Sequence, residues 1–162
     1  NVRHASFRVP KSLSDEAASF TEPLACCLRA VKRAGTHASG AGTRPGDTAL
    51  VVGLGSVGCL LAQLLNRAGV RVLASEPLAE RCALGALFGA EAYSEPERLA
   101  DAVSEATDGR GVDLVFMTAG GAGLLATVAP LVRDGGAIIT LPADRVRPCR
   151  CRSTPSITGS SL

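Results

Sequence analysis

The chain has 162 residues, 46% of them hydrophobic and 20% charged, with a formal net charge of +2, the profile of one ordinary soluble-type domain able to bury roughly 70% of its unfolded surface. With 3% aromatic residues and no Trp, it lacks the stacking surface that single-stranded nucleic acid requires, and its apolar runs are far shorter than the ~20 residues that cross a bilayer. No signal-peptide pattern opens the sequence, so the expectation is a cytoplasmic protein with neither nucleic acid nor membrane as a partner.

The sequence begins at Asn1, its one methionine is Met117, and it reads as a piece of something longer. Residues 11–34 predict a helix entered after Pro23, with Leu24, Cys27, Leu28 and Val31 on one face. A loop rich in Gly, Ser and Thr follows over 35–47. "TALVVG" (48–53) predicts a strand, and the next helix places Val57, Leu60, Leu61, Leu64 and Leu65 on one face before closing at Arg67 and Gly69. "VRVLAS" (70–75) is a second strand. Pro77 suits the first position of a helix whose apolar stripe is Ala79, Cys82, Ala83, Ala86 and Leu87, ended by Gly89.

A short strand at "AEAY" (90–93) leads to a helix with Leu99, Ala102, Val103 and Ala106 inward, closed near Gly109. "VDLVFMT" (112–118) predicts a buried strand, 122–132 a helix and "GAIITL" (136–141) a fifth strand. Residues 144–155 lack apolar periodicity and predict a linker or a disordered stretch, while "SITGSSL" (156–162) is a candidate last strand. Near-continuous apolar strands alternating with helices predict an α/β fold, a Rossmann doubly wound parallel sheet of about six strands with helices on both faces.

Within that frame, Gly53, Gly55 and Gly58 stand between a strand and an amphipathic helix. This is the arrangement in which the first glycine permits a tight turn, the second lets a pyrophosphate approach the backbone, and the third lets helix and strand pack closely. Phosphates there meet free N–H groups at the positive end of the helix dipole. Glu76 follows at close to the spacing of about 20 residues expected of an acid that accepts hydrogen bonds from the adenosine ribose. Its charge disfavours a 2′-phosphate, which predicts NAD over NADP; Arg81, whose guanidinium could hold either a hydroxyl or a phosphate, pulls the other way. A sheet with these glycines but another ligand, or none, is the bland alternative.

The segments "EPLACCLRAVKRAG", "RPGDTALVVGLGSVG", "LASEPLAERCALGALFGAE" and "GVDLVFMTAGG" together resemble the medium-chain dehydrogenase/reductase family, in its zinc-dependent alcohol and polyol branch with the sorbitol-type and threonine-type enzymes. The resemblance runs from residue 7 to about 141, with a weaker echo at 157–160. It implies a nucleotide-binding domain with six parallel strands. Gly53, Gly55, Ser56, Val57 and Gly58 would face the pyrophosphate, Glu76 and Arg81 the adenosine ribose, and Leu141 and Pro142 the nicotinamide. In some polyol-type relatives the glutamate matching Glu22 reaches the catalytic zinc; here it equally suits a helix entry, where a negative charge meets the dipole.

The resemblance divides the chain into a remnant of a catalytic domain and connecting helix (1–34), an NAD(P)-binding Rossmann domain (35–143), and a linker with a possible last strand (144–162). It also implies zinc only in a complete family member, because His4 and His37 are isolated and a zinc site wants three or four converging ligands. No metal site or catalytic residue is therefore assigned. Six cysteines show no Cys-x-x-Cys spacing, and the four in helical contexts (Cys26, Cys27, Cys59, Cys82) are expected to be reduced and buried. Cys149 and Cys151 lie among Arg145, Arg147, Arg150 and Arg152, a stretch read as a solvated linker rather than a phosphate patch.

The leading expectation is the cofactor-binding portion of an NAD-dependent alcohol or polyol dehydrogenase, with a small alcohol or carbonyl as substrate, that binds cofactor and turns over poorly alone. The rivals are a zinc-free quinone-reductase-like oxidoreductase and a non-enzymatic NAD-sensing module. Relatives associate through the sheet edge, which makes a homo-oligomer near 156–162 a further possibility. The substrate is not legible, since fold does not supply it.

Overall fold

The computed structural model describes residues 8–34, 44–120, 122–141 and 148–150. Two helices open it, α1 (Asp15–Ser19) and α2 (Thr21–Ala34). Then β1 (Thr48–Val52), α3 (Ser56–Arg67), β2 (Arg71–Ser75), α4 (Ala79–Leu87) and β3 (Ala90–Tyr93) form one half of the fold. The other half is α5 (Pro96–Ala106), β4 (Val112–Met117), α6 (Ala122–Val128) with a 3₁₀ turn (Ala129–Leu131), β5 (Val132–Thr140) and β6 (Pro148–Arg150).

The sheet order is β3-β2-β1-β4-β5-β6. Its first five strands are parallel, with Leu50 of β1 opposite Leu73 on one side and Val115 on the other. The chain runs outward from β1 through β2 to β3, then crosses back by α5 to β4 on β1's other flank. That reversal leaves a crevice at the carboxyl ends of β1 and β4, where ligands of doubly wound sheets bind. The Rossmann-type α/β fold expected from the sequence is therefore present. One correction concerns the sixth strand: it is antiparallel to β5 and comes from the arginine-rich stretch that read as a linker. At three residues with a proline it gives no periodicity to read. The candidate strand at 156–162 lies outside the described residues.

Because the central strands are covered on both faces, their alternate residues feed two cores. Ala49, Val51, Val72, Ala74, Leu114, Phe116 and Ile139 pack with Cys27 and Ala30 of α2 and Leu61, Ala62 and Leu65 of α3. On the other face, Leu50, Val52, Leu73, Val115, Met117 and Ile138 pack with Leu99 and Val103 of α5 and Val128 of α6.

Helix faces are where expectation and structure part. On α5 the inward set is as expected, Leu99 and Val103 buried with Ala102 and Ala106 half-buried. On α2 the helix starts at Thr21, ahead of Pro23, and the buried residues are Cys27, Ala30 and Ala34, while Leu28 is 45% exposed. Alanines let two helices approach closely, so the small face, not the leucine face, turns inward. On α3 the buried set is Gly58, Cys59, Leu61, Ala62 and Leu65, with Val57, Leu60 and Leu64 packed at its margin.

The expected stripe of α4 is wrong for a similar reason. Gly85 is its buried residue, Leu87 is 79% exposed, and a Cβ on Gly85 would strike Leu54 at 2.5 Å. The missing side chain sets which way α4 leans. Pro77 also precedes the cap residue Leu78 instead of opening the helix. Pro130, which has no N–H to continue an α-helix, falls in the 3₁₀ turn, so α6 ends at Val128 and β5 starts at Val132, earlier than expected.

Candidate functional site

The crevice side of β1 ends in a turn whose every early polar group is occupied. Gly53 adopts φ +92°, a left-handed conformation that favours glycine. Its N–H donates to the Ser75 carbonyl at 2.8 Å, and its carbonyl accepts from the Thr118 hydroxyl at 3.1 Å. The next N–H, of Leu54, donates to Glu76 Oε2 at 2.8 Å, and the Leu54 carbonyl accepts from the Cys59 thiol at 3.4 Å. Gly58 sits so close beneath this turn that a Cβ there would overlap the Gly53 carbonyl oxygen.

From Gly55 onward the pattern reverses. Gly55 caps α3 with no side chain to accept from the first turn, and the Ser56 and Val57 N–H groups have no partner among the described residues. These are the donors that every α-helix leaves unsatisfied at its start, at the positive end of the dipole. A Cβ built on Gly55 meets nothing within 4 Å, so open space lies above the backbone at that point. A di-anionic phosphate group fits this arrangement of amides, dipole and empty approach. The residues present therefore suit a dinucleotide.

Glu76 follows β2 directly and is 3% exposed. Besides Leu54, its carboxylate accepts from the Leu78 N–H at 3.1 Å, and Arg81 Nη1 stands 3.8 Å from Oε2. A crevice of about 580 Å³ opens beside the turn, lined among others by Leu54, Gly55, Ser56, Leu60, Arg81 and Phe88. Gly53, Gly55, Ser56, Val57, Gly58, Glu76 and Arg81 thus converge on one end of the sheet. Leu141 follows β5 at that same end, half-buried, its N–H donating to Met117 at 2.8 Å. Pro142, His4, His37 and Cys151 lie outside the described residues.

Glu22 stands in the first turn of α2, exposed, and accepts from the Cys26 thiol at 3.1 Å. Among the described residues no three His, Cys, Asp or Glu side chains converge as a metal site, so they build no zinc centre. Cys26, Cys27, Cys59 and Cys82 are free thiols. Two depart from the expected burial: Cys26 is exposed, because the inward direction of α2 is taken by its neighbour Cys27, and Cys82 is half-buried, because α4 turns Gly85 inward. Burial pushes the Cys27 thiol up to about 11. Burial and then the Glu76 charge push Cys59 and Cys82 upward as well. All three stay protonated donors near neutrality, and the Cys82 thiol donates a hydrogen bond to the Glu76 backbone carbonyl at 3.1 Å.

Thr118, Cys59 and Cys82 belong to this site and were not singled out from the sequence as part of it. The signal available for Thr118 is thin: a hydroxyl residue ending a buried apolar strand. Among the described residues no helix is long and apolar enough to cross a membrane.

Comparison with known proteins points the same way. A family model described as zinc-binding dehydrogenase matches residues 56–146, more than half the chain. The D-arabitol-phosphate dehydrogenase of Enterococcus avium is 34% identical over 135 residues, covering 81% of this chain and 37% of that protein. Among solved structures, the alcohol dehydrogenase TADH from Thermus sp. ATN1 superposes with a TM-score of 0.72 at 28% identity, covering 83% of this chain and 39% of that one. A zinc-binding dehydrogenase from Sinorhizobium meliloti 1021, bound to NADP, does so at 0.69 with 30% identity, covering 83% and 39%. The chain spans about two fifths of the length of the relatives it matches.

Proposed function

Since this chain belongs to the zinc-binding dehydrogenase family, we propose that it is the cofactor-binding portion of a nicotinamide-dependent dehydrogenase acting on polyols or related alcohols. The observation that carries the proposal is the change along the glycine turn. Gly53 and Leu54 have their backbone groups satisfied by protein, whereas the Ser56 and Val57 amides stand open beneath empty space. A pyrophosphate satisfies those amides without displacing any bond the protein makes.

The parts then divide the work. The first turn of α3 holds the diphosphate, Glu76 accepts from the adenosine ribose hydroxyls through the lone pairs its two amide partners leave, and the chain around Leu141 backs the nicotinamide. The bound dinucleotide supplies the hydride acceptor; this chain's residues bind and orient it. The domain division drawn from the sequence, with 35–143 as the cofactor-binding unit, belongs to the same reading, and so does a polyol substrate, suggested by the D-arabitol-phosphate relative.

NAD is preferred over NADP because the carboxylate of Glu76 is buried beside the ribose position and a 2′-phosphate there meets like charge. The NADP-bound relative from Sinorhizobium meliloti makes the preference worth measuring. The protein has no Trp, so nicotinamide fluorescence is read against a clean background. Titration of the full chain with NADH gives a saturable enhancement, with NADPH binding more weakly. A folded sample that shows no saturation at millimolar NADH overturns the proposal, and tighter binding of NADPH overturns the preference.

A further inference from the structure

The Gly53–Leu54 peptide lies between two side chains that directly follow different strands, Thr118 after β4 and Glu76 after β2. Its carbonyl, on the β4 side, lies 3.1 Å from Thr118 Oγ1; the same hydroxyl is 2.9 Å from the Val52 carbonyl, but that carbonyl already accepts from the Thr118 N–H at 3.0 Å, so the single hydroxyl proton is needed by Gly53. Its N–H, on the β2 side, donates to Glu76 Oε2 at 2.8 Å. Among the described residues the Gly53 carbonyl has no other donor, and it is enclosed, with Gly58 directly against it and Gly53 buried. A peptide group is planar, so its C=O and N–H cannot turn independently. Fixing one end fixes the other.

We propose that Thr118 is a positioning residue of the dinucleotide site: its hydroxyl, with the Glu76 carboxylate opposite, clamps the Gly53–Leu54 peptide so that the open amides of Ser56 and Val57 are aimed before any ligand arrives. This rests on the reading of the site as a dinucleotide cradle. Loss of the hydroxyl leaves a buried carbonyl without a donor, an unfavourable state. The peptide relieves it by turning toward another donor, which draws the Leu54 N–H away from Glu76. Glu76 is then displaced from the ribose and the first turn of α3 loses its fixed entry. The γ-methyl of Thr118 takes no part in this chain of contacts; the proton of its hydroxyl does.

The test compares Thr118→Val, which keeps the shape and removes the donor, with Thr118→Ser, which keeps the donor and removes the methyl. NADH affinity is read by nicotinamide fluorescence and fold integrity by thermal melting. Thr118→Val weakens NADH about tenfold, the scale of one buried hydrogen bond, while Thr118→Ser stays within about twofold of the unmodified chain. Equal affinity of Thr118→Val and the unmodified chain overturns the proposal, and so does a Thr118→Ser variant as weak as Thr118→Val, which makes the contact one of shape. Amide hydrogen exchange on the cofactor-free chain, unmodified and Thr118→Val, is the second arm. In the unmodified chain Leu54 exchanges slowly and Ser56 and Val57 fast, and Thr118→Val speeds Leu54; a Leu54 amide as fast as theirs in the unmodified chain, or one that Thr118→Val leaves unchanged, means no clamp exists. If the unmodified chain binds no NADH, the cofactor reading fails, and the change in Leu54 exchange between the two chains still decides the clamp.

Discussion

Two carboxylates, each 3% exposed, sit at opposite ends of the same sheet. Asp113, at the start of β4, takes the N–H of Thr48 at the start of β1 at 2.8 Å. Glu76, just past the end of β2, takes the N–H of Leu54 just past the end of β1. Their further partners differ. Asp113 also meets Arg133 Nε at 2.6 Å and Arg110 Nη1 at 3.0 Å, so two guanidinium groups close around it. Glu76 has a second backbone amide and, at 3.8 Å, the guanidinium of Arg81, which is 52% exposed. Burial is the same, but neutralisation is not. A buried carboxylate surrounded by cations ties strands together and has no charge to offer, while the other, held by amides, stands beside the uncapped helix start where we place a ligand.

Removing Asp113 breaks that comparison most directly. Asp113→Ala leaves the Thr48 N–H and the Arg133 Nε without their acceptor, a loss of about 3 kcal/mol, read as a lowered urea midpoint with an unchanged slope. The acid limb of stability checks the same point. Burial pulls the Asp113 pKa upward, but the Thr48 amide and the Arg133 and Arg110 guanidiniums outweigh it and hold the carboxyl below its ordinary 3.8. A depressed folded value means that this stabilisation is complete above about pH 4 and is lost as pH falls through the folded value. Asp113→Asn flattens that limb. Should the variant keep the same acid loss, the stabilisation comes from another group.

The glycines sharpen the contrast inside the proposed cofactor end itself. Gly58→Ala drives a methyl into the Gly53 carbonyl, forcing α3 off β1 at a cost of about 1 to 3 kcal/mol, with cofactor affinity lost alongside. Gly55→Ala meets nothing within 4 Å and carries an ordinary φ of −70°, so folding changes by under about 1 kcal/mol. Its methyl does occupy the space proposed for the pyrophosphate, and NADH weakens about tenfold or more, equivalent to 1.4 kcal/mol or above. Melting and titration run on both variants separate the two roles. A Gly55→Ala chain that binds NADH normally places the phosphate elsewhere.

Much of this was legible before any coordinates. Gly53, Gly55, Gly58 and Glu76 announce themselves because backbone geometry constrains residue type at fixed separations, and "AEAY" and the inward face of α5 follow from simple periodicity. The faces of α2 and α4 were not legible, because Ala30, Ala34 and Gly85 decide them by what they lack, and a hydrophobicity pattern is blind to missing side chains. Thr118 and Asp113 were missed for another reason. Asp113 acts on the start of β1 and Thr118 on the turn after it, each across 65 residues of sequence, and only the pairing of β1 with β4 brings them there. The three residues of β6 are too few to carry a period at all.

The smallest effect tests whether Glu76 has been assigned to the right class. Arg81 approaches Glu76 Oε2 at 3.8 Å, beyond hydrogen-bonding distance, and half of its side chain is in water, where ion pairs contribute little. Arg81→Ala therefore changes folding stability by under about 0.5 kcal/mol, in contrast to Arg133→Ala, which uncovers Asp113. What Arg81 supplies is positive charge beside the position we propose for the ribose. Without it the Glu76 carboxylate acts alone, so NADPH weakens more than NADH and the ratio of their affinities shifts further toward NADH by about threefold. Paired titrations of Arg81→Ala and the unmodified chain measure that ratio, and melting supplies the control. An Arg81→Ala chain that loses as much stability as Arg133→Ala moves Glu76 into the same structural class as Asp113, and the contrast between the two ends of the sheet disappears.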